Sequence, residues 1–280
     1  MRIANVRGRA LLLFSDDSGV DIETASEGKF SSDVSRLFDD WSAFVVWAKG
    51  AELSRAVEFT PAEIDAPSPR PRQVFAIGLN YKRHAAESGF SVPESPTVFT
   101  KFPSCITGPN TDVRLPPGGN VDWEVELVAV IGQRCRGVEA QDAWNYVAGL
   151  TLGQDLSERI VQAAGPSPQF SLGKSFEGFG PTGPWLATPD EFKDLDAISL
   201  GCSVNGEQMQ SGNTRDLVFS IPQLISDLSM VVTLHPGDLI FTGTPEGVGL
   251  GRNPQVWLSN GDVLTSWADN LGKLHQRMFS

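Results

Sequence analysis

Residues 121–126, Val-Asp-Trp-Glu-Val-Glu, set two glutamates two positions apart in a segment that reads as a buried β-strand. Side chains alternate across a strand, so Glu124 and Glu126 point the same way, roughly 6–7 Å apart along the chain. The run Leu127-Val128-Ala129-Val130-Ile131-Gly132 that follows is apolar and suits a sheet interior. Two like charges there repel each other and lose hydration unless something neutralises them. A hard divalent cation would do so, because Mg²⁺ favours oxygen ligands and commonly keeps open sites for substrate. A third carboxylate, Asp155, follows a second apolar segment, Ala148–Gln154. A plainer reading stands beside this one. The two glutamates can be a solvated strand face, and Asp155-Leu156-Ser157-Glu158 fits a capping box with Asp in place of Ser or Thr.

A second constellation lies upstream. His84 follows an apolar strand in Gly78-Leu79-Asn80-Tyr81-Lys82-Arg83-His84-Ala85-Ala86-Glu87. If this segment is helical, His84 and Glu87 share a face, and Glu87 could orient the imidazole and stabilise its protonated form as a general base. Otherwise both are solvent-facing residues on a short helix. Other motifs fail on inspection. Gly173-Lys174-Ser175 resembles the end of a phosphate-binding loop, but the glycine required five positions earlier is Pro168. Gly247-Val248-Gly249 lacks the third glycine of a dinucleotide fingerprint, which here is Arg252. No HExxH occurs, and the chain's 3 histidines leave little room for a His-rich zinc site.

The elements that must position these residues are mostly strands. Val74–Leu79, Thr97–Phe102, Val121–Ile131, Ala148–Leu152, Ser199–Val204 and Asp238–Thr244 are short and β-rich. Asn205-Gly206 and Asn260-Gly261 are turn signals, and Val263–Ala268 with Lys273–Phe279 reads as a hairpin. Helices are predicted at about 139–147, 156–164 and 221–232. Near the N-terminus, Arg2–Val6 and Ala10–Phe14 read as a strand and its return. Val34, Leu37, Phe38, Trp41, Phe44, Val45 and Ala48 then form one apolar helical stripe, which is core. Ala66–Arg72 carries Pro67, Pro69 and Pro71 and reads as a stiff linker. It divides the chain into a small N-terminal α/β domain, 1–66, and a larger domain, 67–280. The fold class expected is mixed α+β, mostly β.

At 280 residues the chain can bury a substantial core, and 40% hydrophobic with 20% charged residues describes a globular protein. A net charge of −12 argues against nucleic-acid phosphates as partners but leaves room for a small anionic substrate held by a metal and local cations. Cys105, Cys135 and Cys202 are odd in number with no CxxC pair, as expected of thiols in a reducing compartment. No apolar run approaches the ~18 residues that cross a bilayer, and Ala10–Phe14 is too short for a secretory core. A cytoplasmic location with no membrane partner is the expectation.

Taken in order, these segments resemble the fumarylacetoacetate hydrolase superfamily. Gly-Leu-Asn-Tyr-x-x-His-x-x-Glu at 78–87, Asp-x-Glu-x-Glu-Leu at 122–127 and Asp-x-Ser-x-Arg-x-x-Gln at 155–162 carry the likeness. So do Gly-Lys-Ser-Phe at 173–176, Gly-Pro-Trp at 183–185, Val-Asn-Gly-Glu at 204–207, Pro-Gly-Asp at 236–238 and Thr-Gly-Thr-Pro at 242–245. The resemblance implies a β-roll catalytic domain, a homodimer, and one Mg²⁺ (or Mn²⁺) per site held by Glu124, Glu126 and Asp155. It implies His84 and Glu87 as a water-activating dyad on a segment that orders over the substrate, with Lys174 as a further catalytic group. Tyr81, Arg159, Gln162 and Thr244 become substrate contacts. One position departs: the residue after Arg159 is usually acidic in the family and here is Ile160. The implied activity is hydrolysis of a C–C bond in a 2,4-diketo acid, acylpyruvate-like or sugar-derived, through a metal-bound pyruvate enolate. Decarboxylation of an oxaloacetate-type 2-keto diacid, and isomerisation or hydration of a 2-oxo-enoate, use the same enolate. A non-catalytic binder of small oxo acids is the alternative outside enzymology.

Overall fold

The computed structural model describes residues 1–51, 55–87 and 91–280. The fold is mixed α+β and mostly β. Its spine is a 12-stranded sheet whose central strands, Gly180–Ala187, Val147–Gln154 and Val125–Ile131, are buried along their whole length. Leu239–Phe241, Val74–Gly78 and Thr97–Thr100 continue it on one side. On the other side lie the N-terminal strands Arg2–Val6, Arg9–Leu13 and Ser18–Asp21. Arg2–Val6 pairs antiparallel with Gly180–Ala187, so the first residues of the chain and its centre share one sheet. The proline stretch is packed against both: Asn5 donates to the Ala66 carbonyl at 3.0 Å, and the Ser68 hydroxyl donates to the Gly237 carbonyl at 2.8 Å.

Both faces of Val125–Ile131 are covered, which explains its continuous apolar sequence. Val125, Leu127, Ala129 and Ile131 join a core shared with a second, five-stranded sheet that includes Leu200, Leu264 and Leu274. Val128 and Val130 meet Val34, Leu37, Phe38, Trp41 and Phe44, the predicted N-terminal stripe. That stripe is not one helix. It runs as Val34–Leu37, a 3-10 turn Phe38–Asp40, and Trp41–Lys49, with Asp40 accepting from the Ala43 amide to start the last piece.

Several predicted bounds shift for local reasons. The helix at 221–232 is found as Ile221–Val231, started by the Ser220 cap, and the C-terminal hairpin is Val263–Ala268 with Gly272–Phe279. The segment 139–147 is a 3-10 helix, Ala140–Tyr146. Of 156–164 only Arg159–Gln162 is α-helical, because Ser157–Glu158 instead pairs with Val121–Asp122 in a two-stranded ribbon. The predicted strand Val121–Ile131 is broken at Trp123 and Glu124. There the Glu124 amide donates to the Gln154 side chain at 2.9 Å, and the Trp123 indole donates to the Gly247 carbonyl at 3.1 Å.

Candidate active site

At the break in that strand, Glu124 and Glu126 meet Asp155 at the end of Val147–Gln154. One oxygen from each of the three lies within 4.8 Å of the others, and all three are buried. Asp155 caps no helix. Glu158 does so instead, accepting from the Ile160 and Val161 amides at 3.1 and 2.7 Å and starting the turn that carries Arg159 and Gln162. The next short helix, Phe170–Gly173, lies against that turn. A side chain at Gly173 would meet the Gln162 amide nitrogen at 2.6 Å and the Glu158 carbonyl at 2.7 Å. The glycine of Gly-Lys-Ser therefore serves close packing that delivers Lys174 to the site.

Three cations enter this floor. Lys174 Nζ reaches Glu124 Oε2 at 2.8 Å and Asp155 Oδ2 at 2.7 Å. Lys101, which the sequence reading did not single out, bonds Asp155 Oδ1 at 2.7 Å and donates to the Lys174 carbonyl. Arg159 spans Asp122 Oδ1 and Glu124 Oε1, each at 2.7 Å, and donates to Gln162 Oε1 at 2.8 Å. Its hydrogen bonds are met without an acidic residue at position 160, where Ile160 is exposed. Burial opposes the charge on Arg159, but the carboxylates of Asp122 and Glu124 outweigh it and hold the guanidinium charged. Lys174 is kept charged in the same way, burial being overcome by Asp155 and Glu124.

The two glutamates have opposite environments. Burial pushes the Glu124 carboxyl up, yet the charges of Lys174 and Arg159 prevail and hold it at about 2. Glu126 has no cation partner among the described residues; its Oε2 accepts the Gly243 amide at 2.7 Å. Burial, then the neighbouring charges of Asp155 and Glu124, push it well above the ordinary carboxylate range. A buried carboxylate left uncompensated beside two others is a donor set suited to a hard divalent cation, so the residues present fit such a group.

Above the floor opens a cavity of about 500 Å³, whose wall includes Glu124, Arg159, Gln162, Lys174, Thr244, His84 and Glu87. His84 and Glu87 lie on the helix Lys82–Glu87, with Nδ1 and Oε1 2.9 Å apart. The Gly247 amide donates to both Glu87 oxygens, at 3.0 and 3.1 Å. Gly247 has φ +102°, and a Cβ there would lie 2.2 Å from the Met209 carbonyl oxygen, so this donor requires glycine. Thr244 donates to the Val125 carbonyl at 2.9 Å and accepts from Gln210 at 2.8 Å. Gln210 also accepts the Val125 amide at 2.9 Å, a buried support with no local sequence signal. Tyr81 is placed differently. It is buried, does not line the cavity, and its hydroxyl has no hydrogen-bond partner among the described residues.

Residues 73–279 match the family model described as fumarylacetoacetate (FAA) hydrolase C-terminal. The chain belongs to the fumarylacetoacetate hydrolase family. It is 44% identical over 235 residues to the 2,4-didehydro-3-deoxy-L-rhamnonate hydrolase of Sphingomonas sp. (strain SKA58), covering 82% of each chain. It is 46% identical over 208 residues to the mitochondrial oxaloacetate tautomerase FAHD2A of Bos taurus, a match spanning 74% of this chain and 66% of that protein's length. A crystal structure of a Mycobacterium smegmatis protein provisionally named HpcE aligns with TM-score 0.95 at 50% identity, over 100% of this chain and 99% of that one. The similar proteins carry hydrolase, tautomerase and isomerase names.

Proposed function

We propose that this enzyme is a divalent-metal-dependent hydrolase that cleaves the C3–C4 bond of a 2,4-diketo acid to release a pyruvate unit. The observation that carries the reading is the His84–Glu87 pair, bonded at 2.9 Å on the wall of the cavity whose floor holds the acidic triad. A site that only bound oxo acids would need the carboxylates and cations but no such pair. Glu124, Glu126 and Asp155 would hold Mg²⁺ or Mn²⁺, which would supply Lewis-acid stabilisation of charge developing on the pyruvate oxygens.

The protein's own groups do the rest. With Nδ1 turned to Glu87, His84 offers Nε2 to a water and takes its proton as the oxygen attacks the 4-carbonyl. Glu87 stabilises the imidazolium, and the Gly247 amide keeps that carboxylate in place. The C3–C4 bond breaks, its electron pair passes to the pyruvate enolate, and the imidazolium returns a proton to C3. Lys174, held charged by its carboxylate neighbours, acts as a fixed positive charge toward the oxyanion and not as the proton donor. Gln162, Arg159 and Thr244 orient the carboxylate end of the substrate.

The 46% identity to an oxaloacetate tautomerase favours one second reading, in which the same dyad shuttles a proton between carbon and oxygen without attack by water. A single preparation loaded with Mg²⁺ tests both. We expect pyruvate formation from a short acylpyruvate with higher kcat/KM than enol–keto conversion or CO₂ release from oxaloacetate. Oxaloacetate turnover exceeding that of every diketo acid tried would make tautomerase or decarboxylase chemistry the better reading.

A further inference from the structure

The cavity has two chemically distinct linings. Its floor is ionic, and both cations on the wall sit at that end, Arg159 on Asp122 and Glu124 and Lys174 on Glu124 and Asp155, where the oxo-acid head is taken. The remaining lining is mostly apolar, with Ile77, Leu79, Phe99, Phe170, Val248 and Leu250, and its polar side chains Thr97 and Gln255 carry no charge. Phe99 starts this surface against the floor, with Lys174 Nζ 5.0 Å from its ring centre, and Phe170 extends it edge-on at 5.6 Å. No further cation lines the cavity among the described residues. Arg252 turns away to the Gly247 and Met209 carbonyls, and Arg83 is exposed beside Glu246. The sequence after Glu87, from Ser88 to Pro96, contains no Lys, Arg or His. Among the described residues the wall also carries His84 with Glu87, whose carboxylate would repel a second anionic group.

We propose that the substrate beyond its oxo-acid head is uncharged and apolar, an alkyl or aryl acyl group seated against Phe99, Phe170 and Leu250. This rests on the hydrolase reading for the head of the substrate but concerns only its tail. A tail carboxylate placed here would lose hydration with no cation to replace it, whereas a methylene gains by leaving water. The selection excludes substrates with a second carboxylate at the far end.

Inert mimics of the head separate tail recognition from chemistry. Binding of oxamate, N-butyloxamate, N-phenyloxamate and N-(2-carboxyethyl)oxamate to the Mg²⁺-loaded full chain is measured by calorimetry. Affinity is expected to rise about three- to fourfold per buried methylene, and the carboxyethyl compound to bind no more tightly than oxamate. Leu250 is 39% exposed, so Leu250→Lys is tolerated by the fold and supplies the missing cation. In that variant the carboxyethyl compound should gain and the butyl compound lose affinity. A carboxyethyl tail that binds more tightly than butyl in the unaltered enzyme overturns the inference, and oxamate failing to bind overturns both it and the head assignment. Apolar preference with no diketo acid cleaved would sink the hydrolase reading alone and leave the tail assignment standing.

Discussion

The acidic floor and the His84–Glu87 helix are both parts of one cavity, yet they are built by opposite means. The floor draws its cations from positions 101, 159 and 174 onto carboxylates at 122, 124 and 155, all of them buried, each bond closing a long loop of chain. The dyad is local: two residues three apart on a six-residue helix, secured to the rest by the Gly247 amide. Lys82 and Arg83 on that helix are exposed. Buried ionic clusters are part of the fold, since removing one partner strands the other in low dielectric. A local pair on a short helix, His84 buried and Glu87 partly exposed, takes no part in that cluster and can be altered with less effect on the fold. The floor should therefore respond to substitution in metal affinity and stability, and the dyad in rate.

The largest expected effect tests the floor. Glu126→Gln keeps size and the Gly243 hydrogen bond but removes a ligand charge. Metal affinity should fall by more than the roughly 10- to 100-fold typical of groups one step removed from a metal, and turnover should vanish with it. Calorimetric titration with Mg²⁺ or Mn²⁺ reads this directly. The sign of the pH dependence follows from the same residue. In metal-free protein the folded Glu126 holds its proton more tightly than the unfolded chain does. Its contribution to stability is thus complete below the unfolded value and is lost as pH rises through the raised one. Glu126→Gln should flatten that fall in urea-unfolding curves, and unchanged metal content with unchanged activity would remove Glu126 from the ligand set.

Next comes the dyad, where rate alone should change. His84→Ala is expected to lower kcat for diketo-acid cleavage by roughly 10²- to 10⁴-fold, the usual worth of a general base. Metal content and binding of an oxo-acid inhibitor should stay near the unaltered values. A loss of metal equal to the loss of rate would erase the distinction between the two regions. Glu87→Gln should cost less, roughly 10- to 100-fold, because His84 remains and only the stabilisation of its protonated form is weakened. The glutamine carbonyl can still accept the Gly247 amide, so the unfolding midpoint should hardly move.

The same contrast explains what could be read from sequence. The dyad and the C-terminal hairpin are local patterns, and each is found where its spacing put it; the two glutamates of the E-x-E pair also come together, but across a break in the strand at Glu124. Lys101 and Gln210 left no trace, because their partners lie 54 and 85 residues away. The Pro67–Pro71 stretch looked like a linker since nothing local reveals that Asn5 and Gly237 hold it. Pairing of Arg2–Val6 with Gly180–Ala187 was equally invisible, being a contact between the two ends of a long loop. At Asp155 the local signal pointed two ways. The cap went to Glu158 because Ser157–Glu158 first pairs with Val121–Asp122, which delays the helix by one turn.

Tyr81 provides the finest test, and the smallest effect. Its neighbour Asn80 is tied down by three bonds, to Phe219 and to the Thr242 carbonyl, so the ring is fixed where it lies. Burial, and secondarily the charge of Glu126, push the phenol well above its ordinary range, so it stays a neutral hydroxyl. That hydroxyl is buried without a protein partner among the described residues. Removing an unpaired buried hydroxyl while keeping the ring can be neutral or stabilising. Tyr81→Phe should accordingly leave kcat/KM within about twofold and the unfolding free energy unchanged or raised by up to about 1 kcal/mol. A drop in kcat/KM of tenfold or more, with stability intact, would instead give the hydroxyl a substrate contact and extend the reacting site beneath the cavity wall.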